Sequence, residues 1–300
     1  MALREFLIPV RACLMTAGLL FVAVALAEPP KEPPEGKNDS PEKKPGADAD
    51  EEDRRAVERL VGGIELEALV GGEWTAVKRI EKPLLYHGDP TRKHTRGSVW
   101  GWGVTGRPVA LLELWNNGSN RTKWACGLCN TSGGKLRAKR EGLPWWREND
   151  SAIELKEVPS APVPAGEAAL RQRQLKGLAQ KFTGHEFWDP NNSRYELRRL
   201  ERPVHTYRDP ANGLLDGSLY ILANGTNPEV AVFIEARVQP GAKATPAWQF
   251  MIGRMSHAEF HVEYDDKEVF SGPLGRPLSG PNKPYWVSSI ELPPDIEPNK

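Results

Sequence analysis

Apolar positions along the chain recur either with a period of two or in short unbroken runs, and both patterns mark strands. Val109 to Trp115 and Val230 to Ala236 are near-continuous apolar runs, as expected of strands buried on both faces. A shorter strand pattern precedes each, Ser98 to Val104 in one case and Ser218 to Ala223 in the other. The connections, Thr105-Gly106-Arg107 and Asn224-Gly225-Thr226-Asn227, supply the glycine and asparagine that tolerate the positive φ of a hairpin turn. Each ends at a proline, Pro108 or Pro228, which suits the first residue of a strand where no ladder donor is needed. The stretch GGIELEALVGGEWTAVKRI predicts a hairpin around Gly71-Gly72, and Trp248 to Ile252, Ser256 to Tyr264 and Glu268 to Phe270 read as further strands. Gly166 to Phe182 has helical composition, with Ala168, Leu175, Ala179 and Phe182 on one face, and Asp50 to Leu60 predicts a second, short helix. Beyond Gly272 the chain is rich in proline and is expected to be irregular.

The strand patterns repeat. RIEKPLLYHGDP at Arg79 to Pro90 returns as RLERPVHTYRDP at Arg199 to Pro210, an offset of 120. Ungapped, Arg79, Glu81, Pro83, Asp89, Pro90, Gly97, Ser98 and Pro108 meet identical residues at Arg199, Glu201, Pro203, Asp209, Pro210, Gly217, Ser218 and Pro228. Random pairing at ordinary residue frequencies gives about two identities over such a window. The fold class expected is therefore mainly β (α+β): two related antiparallel lobes from an internal duplication, residues 54–160 and 185–271, joined by an amphipathic helix within 161–184 and followed by an irregular tail, 272–300.

Charge and composition add a location. Arg4 and Arg11 precede an apolar run from Cys13 to Ala27 that ends in Ala25-Leu26-Ala27, the pattern of a cleavable export signal over residues 1–27. That run is too short for a bilayer core that takes about 20 helical residues, so no membrane span is expected after cleavage. Residues 28–53 carry ten Asp or Glu against four Lys among six prolines, with no large apolar side chain, and are expected to stay an extended linker. The whole chain balances 40 Lys and Arg against 40 Asp and Glu, so the remainder is mildly basic. Secretion or a periplasmic location argues against nucleic acid as a partner.

The pattern RDPANGLLDGSLY followed by NGTNPEVAVFIEA, preceded by RQRQLKGLAQKF and HEFWDPNNSRYELRRL, resembles a set of secreted planctomycete bacterial proteins over roughly residues 60 to 270. The resemblance implies an exported bacterial protein and assigns no activity. The Cys-Gly-Leu-Cys segment stands outside it.

Three groups of residues suggest chemistry. Cys126 and Cys129 in WACGLC have the spacing of a redox dithiol, but Asn130-Thr131-Ser132-Gly133-Gly134 would break the helix that lowers a thiolate pKa, so a local disulfide is expected in an oxidising compartment. In SHAEFHVEY a strand would place His257, Glu259, His261 and Glu263 on one face, a candidate metal set needing a third ligand such as His205 or His185; the plainer expectation is a half-solvated strand. Trp100, Trp102, Trp145, Trp146 and Arg147 could stack and hold sugar rings, with Lys135, Arg137 and Lys139 on a neighbouring strand expected to be an edge; core packing is the competing expectation for the tryptophans. Asp89 and Asp209 sit before prolines and are expected to cap turns.

The chain holds no Gly-x-Ser-x-Gly elbow, no His-Glu-x-x-His and no phosphate loop. The function expected is a non-catalytic envelope binding or structural protein without cofactor, whose partner is an acidic or neutral envelope polysaccharide or another envelope protein. A metal-dependent or thiol/disulfide-active secreted enzyme is the alternative. Export with cleavage after Ala27 predicts a mature protein beginning at Glu28, to be read by N-terminal sequencing of the secreted fraction.

Overall fold

A computed structural model of the protein describes residues 47–89, 94–116, 123–151, 153–238, 245–276 and 279–292. The expected export signal, the expected linker up to residue 46 and the loop at 90–93 lie outside the described residues. The chain from 47 to 62 is not extended: helix α1 spans Ala47–Gly62, which shortens the expected linker. Its core-facing positions are Ala56, Val57, Leu60 and Val61, at the spacing of a helix lying on a sheet, so packing orders a segment whose first residues are too polar to suggest it.

All pairing is antiparallel and mainly β, as expected. A four-stranded sheet has the order β2-β1-β7-β8, from Ile64–Val70 (β1), Glu73–Val77 (β2), Leu136–Arg140 (β7) and Leu143–Asn149 (β8). Gly71 and Gly72 both have positive φ in the β1–β2 turn, as a two-residue hairpin requires. A five-stranded sheet joins Leu85–Asp89 (β3), His94–Trp102 (β4), Ala110–Asn116 (β5) and Lys123–Asn130 (β6) to the last strand, Tyr285–Glu291 (β18). The rest form a nine-stranded sheet, with Lys156–Glu157 (β9), Phe182–Phe187 (β10), Arg194–Arg199 (β11), His205–Asp209 (β12), Leu214–Asn224 (β13), Asn227–Val238 (β14), Pro246–Arg254 (β15), Glu259–Tyr264 (β16) and Lys267–Gly272 (β17). The single helix between the β-rich regions, α2, covers Ala168–Ala179 and buries Leu175, Leu178 and Ala179; Phe182, expected on its face, instead opens β10. Among the described residues no helix is long and apolar enough to cross a membrane.

Positions 120 apart make the same pairings. Leu85 faces Val99 as His205 faces Leu219, and a bulge follows His87 as one follows Tyr207. Ser98 faces Leu114 as Ser218 faces Ile234, and Arg79 bridges Trp102 as Arg199 pairs with Leu222. Even the side chains correspond: the Arg79 guanidinium lies 5.0 Å over Trp100 and that of Arg199 lies 5.6 Å over Tyr220. The His87 ring covers Gly97 and the Tyr207 ring covers Gly217, where a Cβ would overlap the ring in either case.

The tail departs from expectation. Tyr285–Glu291 is a strand, β18, pairing with β6 in the five-stranded sheet, while β9, which follows β8, pairs with β15 in the nine-stranded one. Each half of the chain thus hands its last strand to the other half's sheet. Lys135, Arg137 and Lys139 are likewise not on an edge: β7 runs between β1 and β8, and Arg137 donates to Glu67 at 2.6 Å while its guanidinium lies 4.2 Å over Trp74.

Three apolar clusters result. One joins α1 and the four-stranded sheet to one face of the five-stranded sheet, through Trp100, Trp102, Leu112, Leu114 and Trp146. A second packs α2 and the outer strands of the nine-stranded sheet over Tyr220, Val232 and Ile234. The third lies where the five- and nine-stranded sheets face each other, through Val99, Leu111, Leu219, Ile221, Ala231 and Phe233. Because a side chain at 97 or 217 must displace an aromatic ring, Gly97→Ala and Gly217→Ala are each expected to lower stability by about 2 kcal/mol, the cost of overpacking a well-filled core. Urea unfolding of the two variants measures this, and the two losses are expected to be similar.

Candidate functional site

The contact between the two facing sheets is apolar in its middle and acidic at its ends. Strand alternation sends Glu229, Ala231, Phe233 and Glu235 of β14, and Leu111, Glu113 and Trp115 of β5, to the same interface. Glu113, Glu229 and Glu235 are 3 %, 0 % and 0 % exposed. A carboxylate so buried costs roughly several kcal/mol unless it is paired or hydrogen-bonded.

Glu235 is fully served. Arg107, from the turn before β5, reaches both its oxygens at 3.1 and 3.2 Å, Arg237 donates at 2.5 Å and the Tyr207 hydroxyl at 2.9 Å. Burial, and then the Glu235 charge, push the Tyr207 hydroxyl pKa well above its ordinary value, so it stays a donor.

At the other end lies a cavity of about 170 Å³, with Glu113, Glu229, Asn227, His257 and Tyr285 in its wall. Asn227 Nδ2 donates to Glu229 Oε1 at 2.7 Å. On its far side Glu113 Oε1 is 3.3 Å from His87 Nε2, at an angle that makes no hydrogen bond. Tyr285 is 5 % exposed and its hydroxyl has no hydrogen-bond partner, nor has His257 Nε2. The two rings meet edge to face at 5.5 Å. Burial raises the Tyr285 pKa well above its usual value, with the charges of Glu113 and Glu229 adding to the shift and Arg254 opposing it.

Glu229, Ser256 and His257 also line an outer cleft of about 610 Å³, so the cavity backs directly onto it. Arg254 sets the loop between them, donating to the carbonyls of Ser256 at 3.1 Å and Ala258 at 2.8 Å, while Gly275 N–H donates to the His257 carbonyl at 2.8 Å. Across the cleft, Trp188 is 46 % exposed and stacked on Tyr195 at 5.2 Å. Asp189 holds the following turn through Ser193 N–H at 2.7 Å, Ser193 Oγ at 2.8 Å and the Tyr195 hydroxyl at 3.2 Å. Burial and the nearby Arg276 and Arg254 charges lower the His257 pKa, so its ring is neutral near pH 7.

Of the residues singled out from the sequence, His257 and Glu259 line this cleft and the others lie elsewhere. Trp100, Trp102 and Trp146 are 0 %, 2 % and 0 % exposed and have no face for a sugar; the Trp146 indole donates to the Lys283 carbonyl at 2.9 Å. Trp145 packs on Trp286 at 5.6 Å, and Arg147 is exposed beside it. The glycines at 101 and 103 made Trp100 and Trp102 look like one side of a two-sided strand, but both sides of β4 are covered.

The four-residue metal set also divides. Glu259, His261 and Glu263 share one face of β16, whereas His257 precedes the strand and turns into the cavity wall. His261 is held by Glu268 at 2.6 Å and Glu259 at 3.3 Å and stacks on His185 at 4.8 Å. Burial pulls its pKa down, but the two carboxylates outweigh that and leave it raised. His185, 3.7 Å from Glu263, is lowered, chiefly by burial and then by Arg194; His205 stacks on Tyr207 in β12. Among the described residues no three His, Cys, Asp or Glu side chains are grouped to hold a metal ion.

The expected disulfide is absent, because CGLC forms part of β6 and positions three apart on a strand face opposite ways. Their Cα atoms are separated by roughly 10 Å, beyond the 7 Å a bridge spans. Cys126 lies in the cluster under the four-stranded sheet and Cys129 in the one between the facing sheets. Apart from His257, the cavity residues escaped the sequence reading. Their signal was a lone glutamate inside each apolar run, LLEL and PEVAV.

Comparison with family models, with curated proteins and with solved structures finds no match. Burial pushes the pKa of both thiols up to about 12. Neither Cys126 nor Cys129 is therefore expected to react with a thiol reagent at pH 8 in the native protein, and both are expected to react in denaturant, as mass spectrometry of the labelled peptides will show.

Proposed function

We propose that the protein is an exported, non-catalytic binding protein of the bacterial envelope, and that its ligand occupies the cleft walled by Trp188, Ser256, His257 and Glu259. The volume of that cleft, about 610 Å³, lies in the range of sites that hold a small molecule or a few residues of a polymer. Export rests on the basic, apolar and small-residue pattern at the N-terminus. An ancestral doubling of one unit accounts for the matched residues and the matched strand registers.

The observation that carries the binding reading is the exposed, stacked indole of Trp188 on the wall of a cleft with a polar inner end. An aromatic plate beside hydrogen-bonding groups is how a sugar ring is held, by stacking on its apolar face. The partner class remains an acidic or neutral envelope polysaccharide, at a different surface from the one the sequence suggested.

Titration with envelope glycan fragments is expected to change the tryptophan fluorescence of the protein, and Trp188→Ala is expected to remove that change and weaken binding at least tenfold, about the loss of one stacked ring. A saturable change that persists in Trp188→Ala, or none with any fragment, would falsify the proposal.

A further inference from the structure

The two ends of the sheet contact can be compared residue by residue, because contacts between the halves are reciprocal. Where Arg107 of the first half meets Glu235 of the second, Asn227 of the second half shares a cavity wall with Trp115 of the first. Position 107 corresponds to 227, 115 to 235 and 87 to 207 at the offset of 120.

One end is closed and the other is open. Around Glu235 the space is occupied by the Arg107 guanidinium, with Arg237 and the Tyr207 hydroxyl as further donors. At the reciprocal place the arginine is replaced by the shorter Asn227, and about 170 Å³ stands open. Its negative groups have moved: Glu113 stands where the other half has Phe233, and Glu229 where it has Val109. Polar groups replace apolar ones in a buried wall, an exchange that costs stability unless those groups are paired or hydrogen-bonded.

We infer that this cavity receives a cationic head group, a guanidinium or primary ammonium at the end of a short alkyl chain, with the rest of the ligand lying in the outer cleft. The inference rests on the binding role proposed for that cleft. Two carboxylates supply charge, the Tyr285 hydroxyl and His257 Nε2 supply two buried polar atoms with no partner of their own, and the volume matches a guanidinium with a few methylenes. Arg254, whose guanidinium lies 5.8 Å from the Tyr285 ring centre, is engaged by the carbonyls of Ser256, Ala258 and Pro273. Arg276 lines the outer cleft, not the cavity. Among the described residues no three His, Cys, Asp or Glu side chains, Glu113, Glu229 and His257 included, are grouped closely enough to hold a metal ion, which favours an organic cation over a divalent ion.

Calorimetric titration of the full chain with n-butylguanidinium, n-butylammonium, neutral butyramide, butyrate and calcium chloride tests this. The two organic cations are expected to bind, and the amide, the anion and calcium at least tenfold more weakly. Glu113→Gln and Glu229→Gln are each expected to weaken cation binding tenfold or more while near-ultraviolet circular dichroism stays unchanged. Asn227→Arg places an internal guanidinium as at the other end, and is expected to abolish cation binding and raise the melting temperature. Equal binding of butyramide and butylguanidinium, tighter binding of calcium, or cation binding that survives both glutamine variants overturns the inference. If glycan fragments bind at Trp188 while neither cation binds, this inference falls and the binding role stands; if cations bind and no glycan does, the cavity assignment holds and the polysaccharide reading falls.

Discussion

The face-to-face contact of two antiparallel sheets, Val99 and Leu111 against Leu219, Ala231 and Phe233, is the constraint on which the rest of the molecule depends. Each of the strands carrying these residues is also covered on its other side, by α1 and the four-stranded sheet in one half and by α2 and the outer strands in the other. Strands covered on both sides have little room for charge. The glutamates at 113, 229 and 235 can be accommodated only where the apolar middle of the contact ends, and each needs an answer in polar groups or charge.

The two ends answer differently. Arg107, Arg237 and Tyr207 neutralise and hydrogen-bond Glu235, making a closed, structural pair. Around Glu113 and Glu229 the groups on the wall are an amide, an imidazole and a hydroxyl, and space stands between them. Two halves with the same strand registers thus serve unlike purposes at reciprocal places: one fastens the sheets together and the other holds a cavity behind a cleft.

Strand patterns and their hairpins were readable because alternation and glycine turns act locally. The Gly71-Gly72 hairpin and the strands that open near Pro108 and Pro228 appear within a few residues of where the pattern puts them. What local pattern could not supply was the partner of each strand. WACGLC suggested a local disulfide because nothing in its own pattern shows that it is a strand paired with Leu111 to Leu114 on one side and Tyr285 to Ser288 on the other. YWVSSIE looked irregular between prolines because the sheet it completes belongs to residues made long before it. The cavity was hidden for the same reason: Glu113 and Glu229 are 116 positions apart and meet only through the packing of two sheets.

The placement of β18 has a consequence for how the chain reaches this state. Strand β6 keeps a bare row of backbone donors and acceptors until residues 285–291 have been made, since its other neighbour is β5. A nascent first half therefore carries an open, apolar border, the kind that recruits other chains. Closure waits for the end of synthesis, so a chaperone that shields that border until residues 285–291 arrive would serve this protein better than one that acts on finished domains.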